Sequence, residues 1–138
     1  MICLVLPSLS SGGAERVFVN LANNLSNKND VVLILFSSKG PLASKLNPSV
    51  RVIDLNTIFL RKSLFKMIKV LNNIKPNVIL STLGYVNLSL IVIKPLLRFE
   101  HKILLREANL PSLSLQNVNY NKVFYLGSND PDVFWEIR

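Results

Sequence analysis

Three short runs carry the residue types that could do chemistry. Ser11-Gly12-Gly13-Ala14-Glu15-Arg16 follows the apolar run Met1–Leu6 and precedes a segment with helical spacing, Val17, Leu21 and Leu25 with Ala14 and Ala22 beside them. A strand, a glycine turn and a helix in that order turn backbone N–H groups toward a common point. Two glycines permit a ligand approach that a Cβ would block, and a helix N-terminus adds unpaired N–H groups and about half a positive charge. The chemistry this suits is phosphate binding. Spacing alone fits a ligand-free tight turn equally well, since neither G-x-G-x-x-G nor a P-loop is present. Glu15 has a simple role as an acid complementing the helix dipole, whereas Arg16 is either solvated or directed at an anion on the same helix end. The other two runs are Ser81-Thr82-Leu83-Gly84-Tyr85 and Arg106-Glu107-Ala108-Asn109.

The elements that must position them alternate. Strands are expected at Met1–Leu6, Val31–Phe36, Val50–Leu55, Asn77–Ser81 and Lys102–Leu105, and helices at Ala14–Lys28, Leu60–Ile74 and Tyr85–Phe99. The connection Ser37–Asn47 is read with a short helix over Leu42–Leu46. Repeated βα units with uninterrupted apolar strands imply an α/β fold, a Rossmann-like doubly wound parallel sheet. In such a sheet ligands sit beyond the carboxyl ends of the strands, where Ser8–Gly13, Ser81–Tyr85 and Arg106–Asn109 all fall. After Leu110 the pattern weakens. Val123–Leu126 reads as one more strand and residues 127–138 as an irregular tail, so the reading is a domain over 1–126 that is incomplete at its C-terminus.

Composition narrows the function classes. The chain has 138 residues, 49% hydrophobic, which excludes disorder and suits a single domain. Val86–Phe99, the longest apolar candidate, is too short for a membrane span and is interrupted by Asn87, Lys94, Pro95 and Arg98. No signal peptide is evident, and the single Cys3 offers neither a disulfide framework nor a cysteine-based metal site. A cytoplasmic setting is expected, without metal or cofactor. The net charge of +8 is uneven: Arg61, Lys62, Lys66, Lys69, Lys75, Lys94, Arg98, Lys102 and Arg106 share their stretch with one acid, Glu100. Such a surface suits a membrane, a nucleic acid or a phosphorylated substrate. Nucleic acid is disfavoured because the aromatics do not interleave with the cations as a stacking platform requires. Arg61, Lys62, Lys66 and Lys69 share the helix side away from its apolar stripe and are assigned to an anionic membrane surface. His101, the one histidine, falls at the sheet end opposite the expected cleft and reads as a surface or packing residue. Glu100 and Glu107, at the two ends of one strand, stand too far apart to act as an acid/base couple.

The run Leu4-Val5-Leu6-Pro7-Ser8-Leu9-Ser10-Ser11-Gly12-Gly13-Ala14-Glu15-Arg16-Val17, continuing through Asn20-Leu21-Ala22, resembles the N-terminus of family 4 glycosyltransferases, which are retaining enzymes with the two-domain GT-B fold. Arg106-Glu107-Ala108-Asn109-Leu110-Pro111-Ser112 resembles a family segment as well, except that the family often has histidine where this chain has Ala108. The resemblance implies an acceptor-side domain for surface polysaccharide synthesis. Gly12, Gly13 and Arg16 would face the donor phosphates, and Ser11, Thr82, Tyr85, Arg106, Glu107 and Asn109 the carbohydrate or lipid-linked acceptor. The nucleotide-sugar donor would be gripped by a C-terminal GT-B domain carrying paired glutamates, missing here or supplied by a separate chain. Glu100 and Glu107 are no substitute for that pair, so the 138 residues alone are expected to transfer no sugar. The alternatives are a non-catalytic, membrane-associated subunit that recruits a donor-binding chain, or an inactive truncated remnant; the expected setting is cytoplasmic, peripheral on the inner face of the plasma membrane.

Overall fold

A computed structural model of the chain describes residues 1–57, 60–107 and 133–137. Its strands are β1 (Ile2–Leu6), β2 (Val31–Leu35), β3 (Arg51–Asp54), β4 (Val78–Thr82), β5 (Lys102–Glu107) and β6 (Val133–Ile137). Its helices are α1 (Gly13–Leu25), α2 (Leu60–Ile74) and α3 (Gly84–Ile93), with short 3-10 turns at Pro41–Lys45 and Lys94–Leu96. The strands form one parallel sheet in the order β3-β2-β1-β4-β5-β6. This is the doubly wound, Rossmann-like arrangement, and its order reverses between β1 and β4, the switch point at whose carboxyl edge sheets of this kind bind their ligands.

The apolar strands are continuous because both sheet faces are covered. On one face Leu4, Leu6, Leu33 and Leu35 pack with Phe18, Val19 and Ala22 of α1. On the other, Cys3, Val5, Val32, Ile34 and Ile79 pack with Met67 and Leu71 of α2 and Val86, Leu90 and Ile93 of α3. Cys3 lies wholly inside the second layer, and burial pushes its thiol far above the ordinary value despite the nearby Arg51. It is a core residue.

Three boundaries differ from the sequence expectation in ways that matter. The helix expected over Tyr85–Phe99 ends at Ile93, because Pro95 has no N–H to continue the ladder and the chain tightens into a 3-10 turn. β5 runs two residues further than expected, so Arg106 and Glu107 belong to the strand and not to the loop after it. Arg106 thereby lies opposite Thr82 in the β4–β5 ladder. The stretch read as an irregular tail contributes β6, which pairs in parallel with β5. Val-Phe-Trp-Glu-Ile has the β-branched and aromatic residues a strand favours, but a parallel strand need not alternate, so its period was hidden. Val123–Leu126 lies outside the described residues.

Candidate functional site

The turn between β1 and α1 is held from below by a neighbouring loop. The Ser37 amide donates to the Pro7 carbonyl (3.0 Å), Leu9 to Lys39 (3.3 Å), and Leu42 back to Leu9 (3.0 Å). Gly40 makes this possible. Its φ is +144°, and a Cβ there would run into the Leu9 carbonyl. On the same sheet edge, hydrogen bonds from Ser38 above all, and from Asn56, hold the Asp54 carboxylate below its ordinary pKa.

The two glycines of the turn have different work. Gly12 is the α1 N-cap, in extended conformation, and no side chain caps the helix. Its missing Cβ leaves room for the Glu15 carboxylate, which is buried and accepts a hydrogen bond from Ser10 Oγ at 2.8 Å. Gly13 faces open space, with nothing within 4 Å of where a Cβ would stand. The first amides of α1 therefore stay available beside Gly13, while the space over Gly12 is filled from within the chain. Arg16 and Ser11 are exposed on the same turn.

The second cluster is built at the end of β4. Leu83 takes a positive φ of 76°, and its carbonyl accepts from the amides of Val86 and Asn87, both at 3.0 Å, which starts α3 abruptly. Asn87 is buried in a mostly apolar helix. Its Oδ1 accepts from Ser81 Oγ at 2.6 Å and its Nδ2 donates to the Arg106 carbonyl at 3.0 Å, tying β4, α3 and β5 together. Tyr85 is half-exposed. Burial, and then the negative charge of Glu15, raise its phenol pKa above the ordinary value. The start of α1 and the start of α3 follow the adjacent strands β1 and β4 at their carboxyl ends. Ser11–Arg16, Thr82, Tyr85 and Arg106 thus share the carboxyl edge. Glu107 is the last residue of β5, and Asn109 lies outside the described residues.

Ser10, Asn87, Gly40 and the inward turn of Glu15 were not singled out as site residues from sequence. Two signals existed: a lone asparagine inside an apolar helix, and the Gly40-Pro41 pair that marks a tight turn.

The α2 face carries Arg61, Lys62, Lys66 and Lys69, all exposed. Lys66 is not wholly free, because its Nζ donates to the Leu55 carbonyl at 2.6 Å and the Asn56 carbonyl at 3.5 Å. Phe65 stands among these cations with 77% of its surface in water. No helix among the described residues is long and apolar enough to cross a membrane. At the opposite sheet edge, His101 packs its ring 4.8 Å from Phe99 and its Nδ1 lies 2.7 Å from the Phe99 carbonyl. Among the described residues no three His, Cys, Asp or Glu side chains are grouped to hold a metal ion.

No protein-family model matches the sequence. The chain is similar to a Campylobacter jejuni glycosyltransferase, the GalNAc-α-(1→4)-GalNAc-α-(1→3)-diNAcBac-PP-undecaprenol α-1,4-N-acetyl-D-galactosaminyltransferase. The two are 33% identical over 156 aligned positions, covering 98% of this chain and 42% of that relative. The chain thus spans less than half the length of the glycosyltransferase it matches.

Proposed function

We propose that this chain is the acceptor-side half of a glycosyltransferase of family 4 with the GT-B fold. It works with a donor-binding domain to move a sugar from a nucleotide to a lipid-linked carbohydrate with retention of configuration. The observation that carries the reading is Gly13, open at the N-terminus of α1 on the sheet's carboxyl edge, in a chain similar along nearly its whole length to a glycosyltransferase. That relative's acceptor is a lipid-linked oligosaccharide. The amides beside Gly13, with Arg16, form one wall of a donor-phosphate site and stabilise the departing diphosphate electrostatically. Ser11, Thr82, Tyr85, Arg106, Glu107 and Asn109 serve the acceptor.

Gly13→Ala tests this. A methyl group there meets nothing in the fold and loses less backbone entropy, so thermal stability should hold or rise slightly. Pyrophosphate titrated into the ¹⁵N-labelled chain should shift the amides of Gly12–Ala14, and the substitution should weaken that response at least about tenfold, roughly 1.4 kcal/mol. An unchanged titration would reduce the glycine pair to a tight turn.

The basic face of α2 brings the domain to an anionic bilayer, with Phe65 entering the interface. A phenylalanine side chain transferred out of water contributes roughly 1.5–3 kcal/mol, and each cation near an anionic surface about 1 kcal/mol. Phe65→Ser should weaken binding to phosphatidylglycerol-containing vesicles by about ten- to a hundredfold. Arg61→Gln with Lys69→Gln should cost about thirtyfold together. Equal binding to neutral vesicles in a flotation assay contradicts the assignment.

A further inference from the structure

Two polar groups at the carboxyl edge lack partners. Thr82 is fully buried, yet its Oγ1 makes no hydrogen bond, and Nη1 of Arg106 is likewise shut from water and unpaired. Native proteins rarely keep such atoms in the interior, and each that remains calls for a group to complete it. These two are placed together. Thr82 and Arg106 are direct neighbours in the parallel β4–β5 ladder. Side chains alternate along a strand, so Thr82 leaves the sheet on the side of Leu80, which packs against the α1 layer. Arg106, paired with Thr82, leaves on the same side.

The two faces of this edge contrast. On the α3 face Ser81 finds its acceptor in Asn87, which also holds the Arg106 carbonyl. On the α1 face, the one bearing the glycine turn, the polar atoms are unfinished. The backbone that carries Arg106 is therefore fixed while Nη1 of its guanidinium is left without a partner. Glu136 stands opposite Arg106 in the β5–β6 ladder, and Nη1 is without a partner all the same.

We propose that Thr82 and Arg106 form a seat for one oxyanion, a phosphate or a carboxylate group of the substrate, beside the glycine turn and separate from it. The donor inventory decides the chemistry. A guanidinium has only N–H donors, and the threonine hydroxyl can turn its proton the same way. Their complement is a group that only accepts, and planar or tetrahedral oxyanions accept from a guanidinium fork through two oxygens. A neutral sugar hydroxyl, part donor, matches this pair less well. The proposal deepens the reading of this edge as the substrate side and rests on it.

The test is an NMR titration of the ¹⁵N-labelled 138-residue chain at constant ionic strength with inorganic phosphate, with glucuronate and with neutral glucose. Both anions are expected to move the Thr82 amide and the Arg106 Nε–H signals, and glucose to leave them in place. Arg106→Gln should weaken the response at least about tenfold, and Arg106→Lys should restore part of it, since the charge returns without the fork. Thr82→Val should weaken it several-fold while raising the melting temperature by about 4 °C, because a buried hydroxyl without a partner is replaced by an isosteric methyl. Tighter phosphate binding identifies a phosphorylated ligand and tighter glucuronate binding an acidic sugar; either supports the oxyanion seat. The proposal falls if Arg106→Gln titrates like the unaltered chain, if neither anion moves these signals, or if Thr82→Val lowers stability without changing affinity. Gly13→Ala separates the two readings. If only that substitution abolishes phosphate binding, the glycine turn stands and the seat does not. If only Arg106→Gln does, the seat stands and the turn is structural.

Discussion

Gly40→Ala is expected to destabilise the domain severely, although Gly40 lies outside every cluster that could bind a ligand. The native backbone there has φ +144° and ψ 159°, a region that residues with a Cβ almost never enter. An alanine would have to leave that conformation or drive its methyl into the Leu9 carbonyl, and the Ser10 amide stands close behind. Neither obstacle is the end of a flexible side chain, so neither can swing away. The conformational strain and the collision together put the cost on the order of 3 kcal/mol or more, which is a large share of the ~5–15 kcal/mol that holds a domain folded. The damage should be local first, because Leu9 exchanges hydrogen bonds with the Lys39–Leu42 loop on both sides of the glycine. Chemical denaturation, with amide exchange at Leu9 and Leu42, would measure both effects. Stability equal to the unaltered chain would show that the loop can be rebuilt without the contact. Gly13→Ala is the matched control, since the same added methyl there meets nothing.

Asn87→Ala should be the second large loss. The substitution leaves the Ser81 hydroxyl without its acceptor and the Arg106 carbonyl without its donor, both at the buried junction of β4, α3 and β5. Each stranded group costs roughly 1–3 kcal/mol, so a total of about 3 kcal/mol and a melting temperature lower by roughly 10 °C are expected. Asn87→Asp sharpens the test through pH. A carboxyl at this buried position faces the Arg106 carbonyl, and both burial and that oxygen favour its protonated form, so its pKa in the folded chain rises above the unfolded value of about 3.9. The folded state then binds more protons than the unfolded state, and stability falls as pH climbs from the unfolded pKa through the folded one. Asn87→Asp should resemble the unaltered chain most closely under acid conditions and fall away toward neutrality. A loss independent of pH would mean that the bond to the Arg106 carbonyl contributes little.

How far the sequence carried depends on the kind of signal. The parallel α/β sheet was legible because Leu4-Val5-Leu6 and Val31–Leu35 are apolar without interruption, the mark of strands covered on both faces. The carboxyl-edge clusters were legible because that fold rule places them. What sequence could not give was register. A two-residue extension of β5 decides whether Arg106 hangs from a loop or stands beside Thr82, and strand ends are set by pairing with neighbours, not by local preference. The role of Glu15 was hidden for a related reason. An acid in a first helical turn normally points to solvent, whereas here Ser10, five residues back, and the space above Gly12 draw it inward. The basic face of α2 was readable by helical spacing, but the capture of Lys66 by the Leu55 carbonyl depends on how the loop from β3 meets the helix.

The strand order decides when the switch point at the carboxyl edge comes into being. It lies between β1 and β4, whose register joins Ile2 to Val78, so the pair cannot form before the 75 residues between them have been threaded through β2, β3 and α2. β1 can pair with β2 long before that, across the shorter crossover through α1. Distant parallel pairings are slow, because the entropy of closing the intervening chain is spent before their contacts are gained. The half-sheet of β1, β2 and β3 therefore has the kinetic advantage. The carboxyl edge between β1 and β4 closes afterwards, as a late event in folding.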